Sequence, residues 1–296
     1  MKVLLISNYP PDQQQSMLRY ADMLKEGIGA RGHTVETVYP PVLLGRLPFL
    51  RGSLKKWIGY IDKYLLAPSY LRKKASQSDI VHICDHSNSM YLKCAEAKPA
   101  FITCHDLLAI NSARGMYPGV NIGLTGKVLQ RWIAANLSSA EHVICVSTKT
   151  QEDLERLAPG IRSRTAVIHH RLNWNYAPAS LDAIAEAKRM SGVASDGQYL
   201  LHVGGNQWYK NRLGAMQIFA ALQKDARFKN MKLVMAGKRW TPVMRQYCEA
   251  AGLADRIIER VELSNEELRA LYSGAVALLF PSREEGFGWP VLEAQA

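Results

Sequence analysis

The chain is poor in several features that would each point to a function. Its five cysteines (Cys84, Cys94, Cys104, Cys145 and Cys248) contain no C-x-x-C pair. That argues against a disulfide framework or a thiolate metal site; they read as buried reduced thiols of a cytoplasmic protein. Long apolar runs are missing. Nothing approaches the ~18 uninterrupted residues of a membrane-spanning helix. The opening Met1–Ser7 is too short for a leader and lacks a small-residue cleavage site, so it reads as a buried strand. Neither G-x-G-x-x-G nor G-x-x-x-x-G-K-[ST] occurs, which disfavours dinucleotide dehydrogenases and P-loop NTPases. No DNA or RNA motif is present, so no nucleic-acid partner is expected. Acids are also scarce: 26 Asp and Glu against 37 Lys and Arg give a net charge of +11.

What is present is an alternation of short apolar runs with amphipathic ones. Strands are predicted at Lys2–Ser7, Thr34–Tyr39, Asp79–Cys84, Ala100–Cys104, Glu141–Val146 and Thr165–Ile168. Helices are predicted between them, at Ser16–Arg31, Ser87–Ala97, Thr125–Leu137 and Lys149–Leu157, with Ser147 placed to cap the last. From His169 to Ala179 the period is lost and Asn, Trp, Pro and Tyr dominate. Alternation then resumes, with a helix at Ser180–Met190 and strands at Tyr199–Val203, Lys232–Ala236, Arg256–Arg260 and Ala275–Phe280, the last read as fully buried. Such alternation gives parallel sheets wrapped by helices. The expected architecture is α/β, with two doubly wound domains: 1–170, a linker at 171–180, and 181–296. Open sheets of this kind bind ligands beyond the carboxyl ends of their strands.

Much of the basic excess lies between Arg46 and Lys74, where Arg46, Arg51, Lys55, Lys56, Lys63, Arg72, Lys73 and Lys74 face one acid, Asp62. Leu54, Trp57, Ile58, Ile61 and Leu65 follow at helical spacing. Such a helix either packs its stripe on the domain or lies on an anionic leaflet, so peripheral membrane contact through 46–74 is an expectation.

The chain closes on Pro281-Ser282-Arg283-Glu284-Glu285-Gly286-Phe287-Gly288-Trp289-Pro290-Val291-Leu292-Glu293. Two carboxylates, Glu285 and Glu293, flank a Gly-Phe-Gly turn, and a proline stands where a helix begins, a position that loses nothing from its missing N–H. A helix start offers unpaired N–H groups and a positive dipole end to a phosphate or sugar hydroxyls. Leu201-His202-Val203-Gly204-Gly205 leads to Lys210 just before another helix, where glycines admit a close anion and lysine supplies charge. Met235-Ala236-Gly237-Lys238 ends a further strand, and Phe101-Ile102-Thr103-Cys104-His105-Asp106 ends one in the first half.

Together these stretches resemble the retaining glycosyltransferases of family 4, with the GT-B fold of two Rossmann-like domains facing a cleft. The resemblance implies an enzyme that moves a sugar from a nucleoside diphosphate sugar to the hydroxyl of a saccharide or lipid-linked acceptor in polysaccharide or glycan biosynthesis. UDP and GDP both stay open. The implied donor site is Gly204, Gly205, Lys210, Gly237, Gly286, Phe287, Gly288 and Glu293, with Glu293 on the ribose. Glu285 and His105 would meet the transferred sugar as the catalytic pair. Ser16, as an N-cap, Asp85, His86 and Asp106 are candidates for the acceptor or phosphate side. No metal and no cofactor are expected, since the protein's own positive groups answer the diphosphate. His82 joins Asp85 and His86 as a metal-capable type but lies within a strand and points differently.

Three departures stand out. Gly205 occupies the place of a common family arginine, for which Asn206 or a residue of the first domain is expected to compensate. The turn after the first strand, Pro10–Met17, is not glycine-rich. His169-His170-Arg171 stands where Asn-Gly is usual. The family pattern also runs on past Glu293, so the chain is expected to be a fragment, marginally stable in its second half and of little activity, at the inner face of the membrane or free in the cytoplasm. Alternatives are a nucleotide-sugar epimerase or phosphorylase on the same fold, or a non-catalytic sugar-nucleotide or partner-binding remnant.

Overall fold

The computed structural model describes residues 1–46, 52–95 and 97–296, with the backbone alone for 46 and 52–56. The chain divides into two compact units, Met1–Asn173 and Trp174–Ala296.

The first unit is built on six parallel strands in the order β2-β1-β3-β4-β5-β6. They are β1 Lys2–Ile6, β2 Thr34–Val38, β3 Ile80–Ile83, β4 Ala100–Cys104, β5 His142–Cys145 and β6 Thr165–Val167. Leu4, Ile6, Val81, Ile83, Ile102, Cys104, Val143 and Cys145 are buried in one continuous core, as helix-covered parallel strands require. The helices are α1 Gln15–Gly29, α2 Gly52–Ile61, α3 Ala67–Ser76, α4 Leu108–Ala113, α5 Leu124–Ser138 and α6 Thr148–Leu157. Ser147 caps α6 by accepting from the Thr150 N–H at 3.1 Å.

A π-turn, Asp62–Leu66, joins α2 to α3. It turns Asp62 inward, where the carboxylate accepts from the Tyr9 hydroxyl and from the N–H groups of Leu43, Leu44 and Gly45. Lys63 goes inward too and pairs with Asp12 at 2.8 Å, so it is withdrawn from the basic face expected of 46–74. Of that segment, 47–51 and the side chains of Arg46 and 52–56, Leu54 included, lie outside the described residues.

The second unit has four parallel strands in the order β10-β7-β8-β9: β7 Tyr199–Gly204, β8 Lys232–Gly237, β9 Ile257–Val261 and β10 Ala277–Leu278. Side chains alternate across the sheet. Leu200, Leu233 and Met235 meet Phe219 of α8 (Arg212–Leu222) and Met244 of α9 (Pro242–Ala250). Tyr199, Leu201, Val234 and Ala236 meet Ala187 of α7 (Leu181–Met190) and Leu271 of α10 (Asn265–Gly274). This is the doubly wound arrangement expected from the sequence. Deleting a fully buried ring such as Phe219 from it costs about 3–5 kcal/mol. α10 starts with a capping box in which Ser264 and Glu267 satisfy each other's N–H groups. A last helix, α11 Trp289–Gln295, follows a left-handed Gly288 with φ 91°.

Several expectations are corrected. Ala275–Phe280 is not a fully buried strand: only Ala277–Leu278 pair, with β7 alone, and Val276 is 54 % exposed. Among the described residues the segment pairs with one neighbour only, as a strand at a sheet edge does. The predicted helix 87–97 is instead a 3-10 run, His86–Cys94, broken at Asn88. Asp85 caps it through the Ser87 N–H, and the tight start leaves little room for α geometry. Ser16 is not an N-cap. α1 begins one residue before it, behind Gln14, because Pro10–Asp12 form a 3-10 turn that closes on a left-handed Gln13.

Candidate functional site

In the second unit the predicted donor residues collect at the carboxyl ends of β7, β8 and β10. The turn after β7 is stitched to the segment after β10 by three bonds. Arg283 N–H donates to the Tyr209 carbonyl at 2.8 Å, Asn211 Nδ2 donates to the Pro281 carbonyl at 3.1 Å, and Lys210 Nζ meets Glu285 at 2.8 and 3.1 Å. Two motifs 75 residues apart thus share one ion pair. Gly286, Phe287 and Gly288 follow as a half-buried turn. Glu293 on α11 is 7 % exposed, and its Oε2 accepts from the Tyr272 hydroxyl at 2.7 Å. Burial first, then the Glu293 charge, pushes the Tyr272 phenol far up, which keeps it a donor to that carboxylate.

Gly204 and Gly237 lie in register on adjacent strands. Gly237 has φ 139°, and a Cβ there would stand 2.1 Å from the Gly204 carbonyl oxygen. Backbone-on-backbone packing therefore demands this glycine. Gly205 does not compel its own smallness in the same way, since a Cβ there would meet only the flexible amide of Gln207.

The residue that sequence reasoning missed is Arg212. It opens α8 and is 4 % exposed. Its Nη1 donates to Asn206 Oδ1 at 2.5 Å and to the Lys238 carbonyl at 2.7 Å, tying together the turns after β7 and β8. Its Nε and Nη2 are buried with no partner among the described residues. Burial lowers its pKa, against the pull of Glu259. A cation at a helix N-terminus opposes the dipole, and a buried one is costly. That mismatch was the signal available in Lys210-Asn211-Arg212. Asn206, expected to stand in for the missing arginine, instead holds one.

In the first unit, Asn8, Asp85, His86, His105 and His170 meet at the strand ends. Asp85 is 4 % exposed and accepts from Asn8 Nδ2 at 2.6 Å and from the Ser87 N–H and hydroxyl at 2.9 and 2.7 Å, with His86 Nδ1 at 3.3 Å. Burial raises its pKa, but the neighbouring His86 and His105 and the bonds from Asn8 and Ser87 outweigh it and hold it low. His105 Nε2 stands 2.8 Å from the Cys84 carbonyl and must donate to it, and its Nδ1 lies 3.2 Å from His170 Nε2. Tyr20 packs edge-on against both rings. Burial lowers the pKa of His105, partly countered by Asp85, and lowers that of His170 to about 3. Asp106 is spent on the Leu108 N–H, and His82 Nε2 bonds the Thr103 hydroxyl at 2.8 Å. Ser16 is exposed in the first turn of α1.

Both units have matches among known proteins. Residues 17–172 match the model of Glycosyltransferase Family 4, and residues 184–296 that of Glycosyl transferases group 1. An O-antigen chain mannosyltransferase B of Escherichia coli is 26 % identical over 172 residues, 57 % of this chain and 45 % of that protein. The matched stretch thus spans less than half of that relative's length. An uncharacterized glycosyltransferase of Methanocaldococcus jannaschii is 23 % identical, covering 100 % of this chain and 78 % of its own. Among solved structures, Anabaena HepE in complex with UDP and glucose superimposes with a TM-score of 0.70 at 15 % identity, over 99 % of this chain and 78 % of that one. WaaG, a glycosyltransferase involved in lipopolysaccharide biosynthesis, gives 0.68 at 15 % identity with the same coverage.

Proposed function

Because the chain belongs to glycosyltransferase family 4 and shares the GT-B fold, we propose that it transfers a sugar from a nucleoside diphosphate sugar to an acceptor hydroxyl in surface polysaccharide or glycan synthesis, with retention at the anomeric carbon. The observation that carries this reading is the pair of cations at the β7–α8 turn. Arg212 is buried with two nitrogens that have no partner among the described residues, and Lys210 stands on the same turn beside the Glu285 motif. A folded protein keeps uncompensated buried charge where it serves a ligand, and here that ligand is the diphosphate.

In this reading Lys210 and Arg212 take the charge that develops on the leaving diphosphate, assisted by the N–H groups of Gly286–Gly288 and the turn at Gly204 and Gly205. Glu285 exchanges Lys210 for the sugar hydroxyls, and Glu293, oriented by Tyr272, takes the ribose. The bond from the anomeric carbon to phosphate oxygen breaks and a bond to the acceptor oxygen forms. The acceptor proton passes to the leaving phosphate, so no carboxylate is asked to be a covalent nucleophile. His105, held by His170, serves the sugar as a positioned ring, with Asp85, His86 and Asp106 shaping the acceptor side. Relatives named for O-antigen mannosyl transfer support a hexose donor such as a mannosyl nucleotide. UDP-glucose in HepE supports the nucleotide-sugar class. Among the described residues no helix is long and apolar enough to cross a membrane; peripheral contact through 46–74 accords with the exposed Trp57, Ile61 and Leu65.

A donor screen read by mass spectrometry tests the proposal. Expected is a glycosylated acceptor formed from one nucleoside diphosphate sugar, with the released nucleotide. An altered sugar nucleotide formed without acceptor indicates an epimerase, a requirement for inorganic phosphate indicates a phosphorylase, and failure to bind UDP or GDP calorimetrically indicates a remnant; each rejects the reading.

A further inference from the structure

Two helical segments of the first unit carry large apolar side chains outward at the same interval. On α5, Leu124, Val128 and Trp132 follow at i, i+4 and i+8 and are 81 %, 65 % and 38 % exposed. Across α2 and the π-turn, Trp57, Ile61 and Leu65 repeat the interval, all exposed. Between the segments lies a cavity of about 400 Å³ whose wall includes Trp57, Tyr60, Tyr64, Leu124, Val128 and Trp132. The rings form an unbroken line: Trp57 to Tyr60 at 5.6 Å, Tyr60 to Tyr64 at 5.4 Å and Tyr64 to Trp132 at 5.2 Å. Paired outward stripes with an apolar cavity between them mark an interaction surface.

Charge identifies the occupant. From Leu107 to Ala140 the sequence holds Arg114, Lys127 and Arg131 and no acid. From Arg46 to Lys74 the only acid is Asp62, which is buried and fully engaged. Neither segment turns a carboxylate to the surface. Helical geometry sets the exposed Lys127 and Arg131 beside Leu124 and Val128. Two exposed cations on α5 beside an aromatic, largely apolar slot complement an amphiphile with a negative head and a hydrocarbon tail.

We propose that this face seats on an anionic phospholipid leaflet and that the cavity takes one fatty-acyl chain of a bilayer lipid, with Lys127 and Arg131 on its phosphate. The inference deepens the membrane contact proposed for 46–74 by adding α5 and the slot, and it is independent of the transferase chemistry.

The test uses the full chain with vesicles of phosphatidylglycerol or phosphatidylcholine, some brominated along the acyl chain. Expected are cosedimentation with the anionic vesicles only and quenching of tryptophan fluorescence by the brominated chains. The quenching should be lost in the W57F/W132F double variant. K127Q/R131Q should weaken partitioning about thirty-fold, at one surface cation's worth per substitution. Val128→Asp should abolish chain quenching, with circular dichroism and melting confirming an intact fold. Equal binding to both lipids, or none, overturns the proposal. Anionic binding without quenching at Trp57 and Trp132 rejects the acyl-chain slot while sparing the membrane contact. A dimer in solution that buries the two tryptophans assigns the face to a second copy and also overturns it.

Discussion

Glu285→Gln should tighten the binding of a nucleoside diphosphate while lowering sugar transfer, two effects of opposite sign from one atom exchange. Lys210 Nζ lies 2.8 Å from one carboxylate oxygen and 3.1 Å from the other, with side chains 17 % and 21 % exposed. At an effective dielectric of ~20 the gross attraction is about 6 kcal/mol. Desolvation and solvent access cancel most of it, as in partly exposed pairs generally, leaving about 1 to 1.5 kcal/mol. A diphosphate arriving at Lys210 must compete with that carboxylate and be repelled by it. The glutamine keeps the shape and removes the charge, so the full attraction of Lys210 goes to the ligand. The expected gain in affinity for UDP or GDP is about 5- to 10-fold. Turnover of the complete sugar nucleotide should fall by 10²-fold or more, because the carboxylate is assigned to the sugar hydroxyls. Calorimetric titration of wild type, Glu285→Gln and Lys210→Met, at low and at moderate salt, measures the first effect, and product formation the second. Lys210→Met should lose affinity. If Glu285→Gln binds the diphosphate no better than wild type, Lys210 is a structural partner of Glu285 and not the diphosphate ligand.

Further outcomes follow from the same geometry. Arg212→Met should weaken diphosphate binding by ten-fold or more yet leave the melting temperature of the ligand-free chain unchanged or higher, since it removes a buried cation with two unpartnered nitrogens; a fall in both would make Arg212 purely structural. Tyr272→Phe removes a bond to the buried Glu293 carboxylate, worth about 1.5–3 kcal/mol, and should raise the donor KM more than it lowers kcat. Gly237→Ala places a methyl against the Gly204 carbonyl and should cost about 1–3 kcal/mol of stability by denaturant titration. The imidazoles of His82 and His202, held at about 4, and of His170, at about 3, stay neutral in the fold, while the unfolded chain protonates near 6.5. Their stabilisation is therefore present above pH ~6.5 and is lost as pH falls toward 4, about 1 kcal/mol each by pH ~5.5; a flat stability between pH 7 and 5 contradicts it.

Strand runs such as Val3–Ile6 and Leu233–Ala236 and the amphipathic period of α1 are local patterns. They were enough to determine a doubly wound α/β fold in two halves, and the Glu285–Glu293 spacing with its Gly-Phe-Gly turn was enough to point to the family. Where the reading failed, neighbours in space outweighed neighbours in sequence. Ala275–Phe280 is apolar like a core strand, but among the described residues it pairs with β7 alone and Val276 is exposed. Lys63 reads as a surface lysine until the π-turn brings it to Asp12. Only the tertiary structure could place Arg212 between the turns after β7 and β8, set His170 against His105 across 65 residues, or line Tyr64 up with Trp132. The physical reason is that a repeat of two or 3.6 residues is written into each segment. Which strand ends and helix faces meet is decided by the summed burial of the whole sheet, a quantity that no single segment carries.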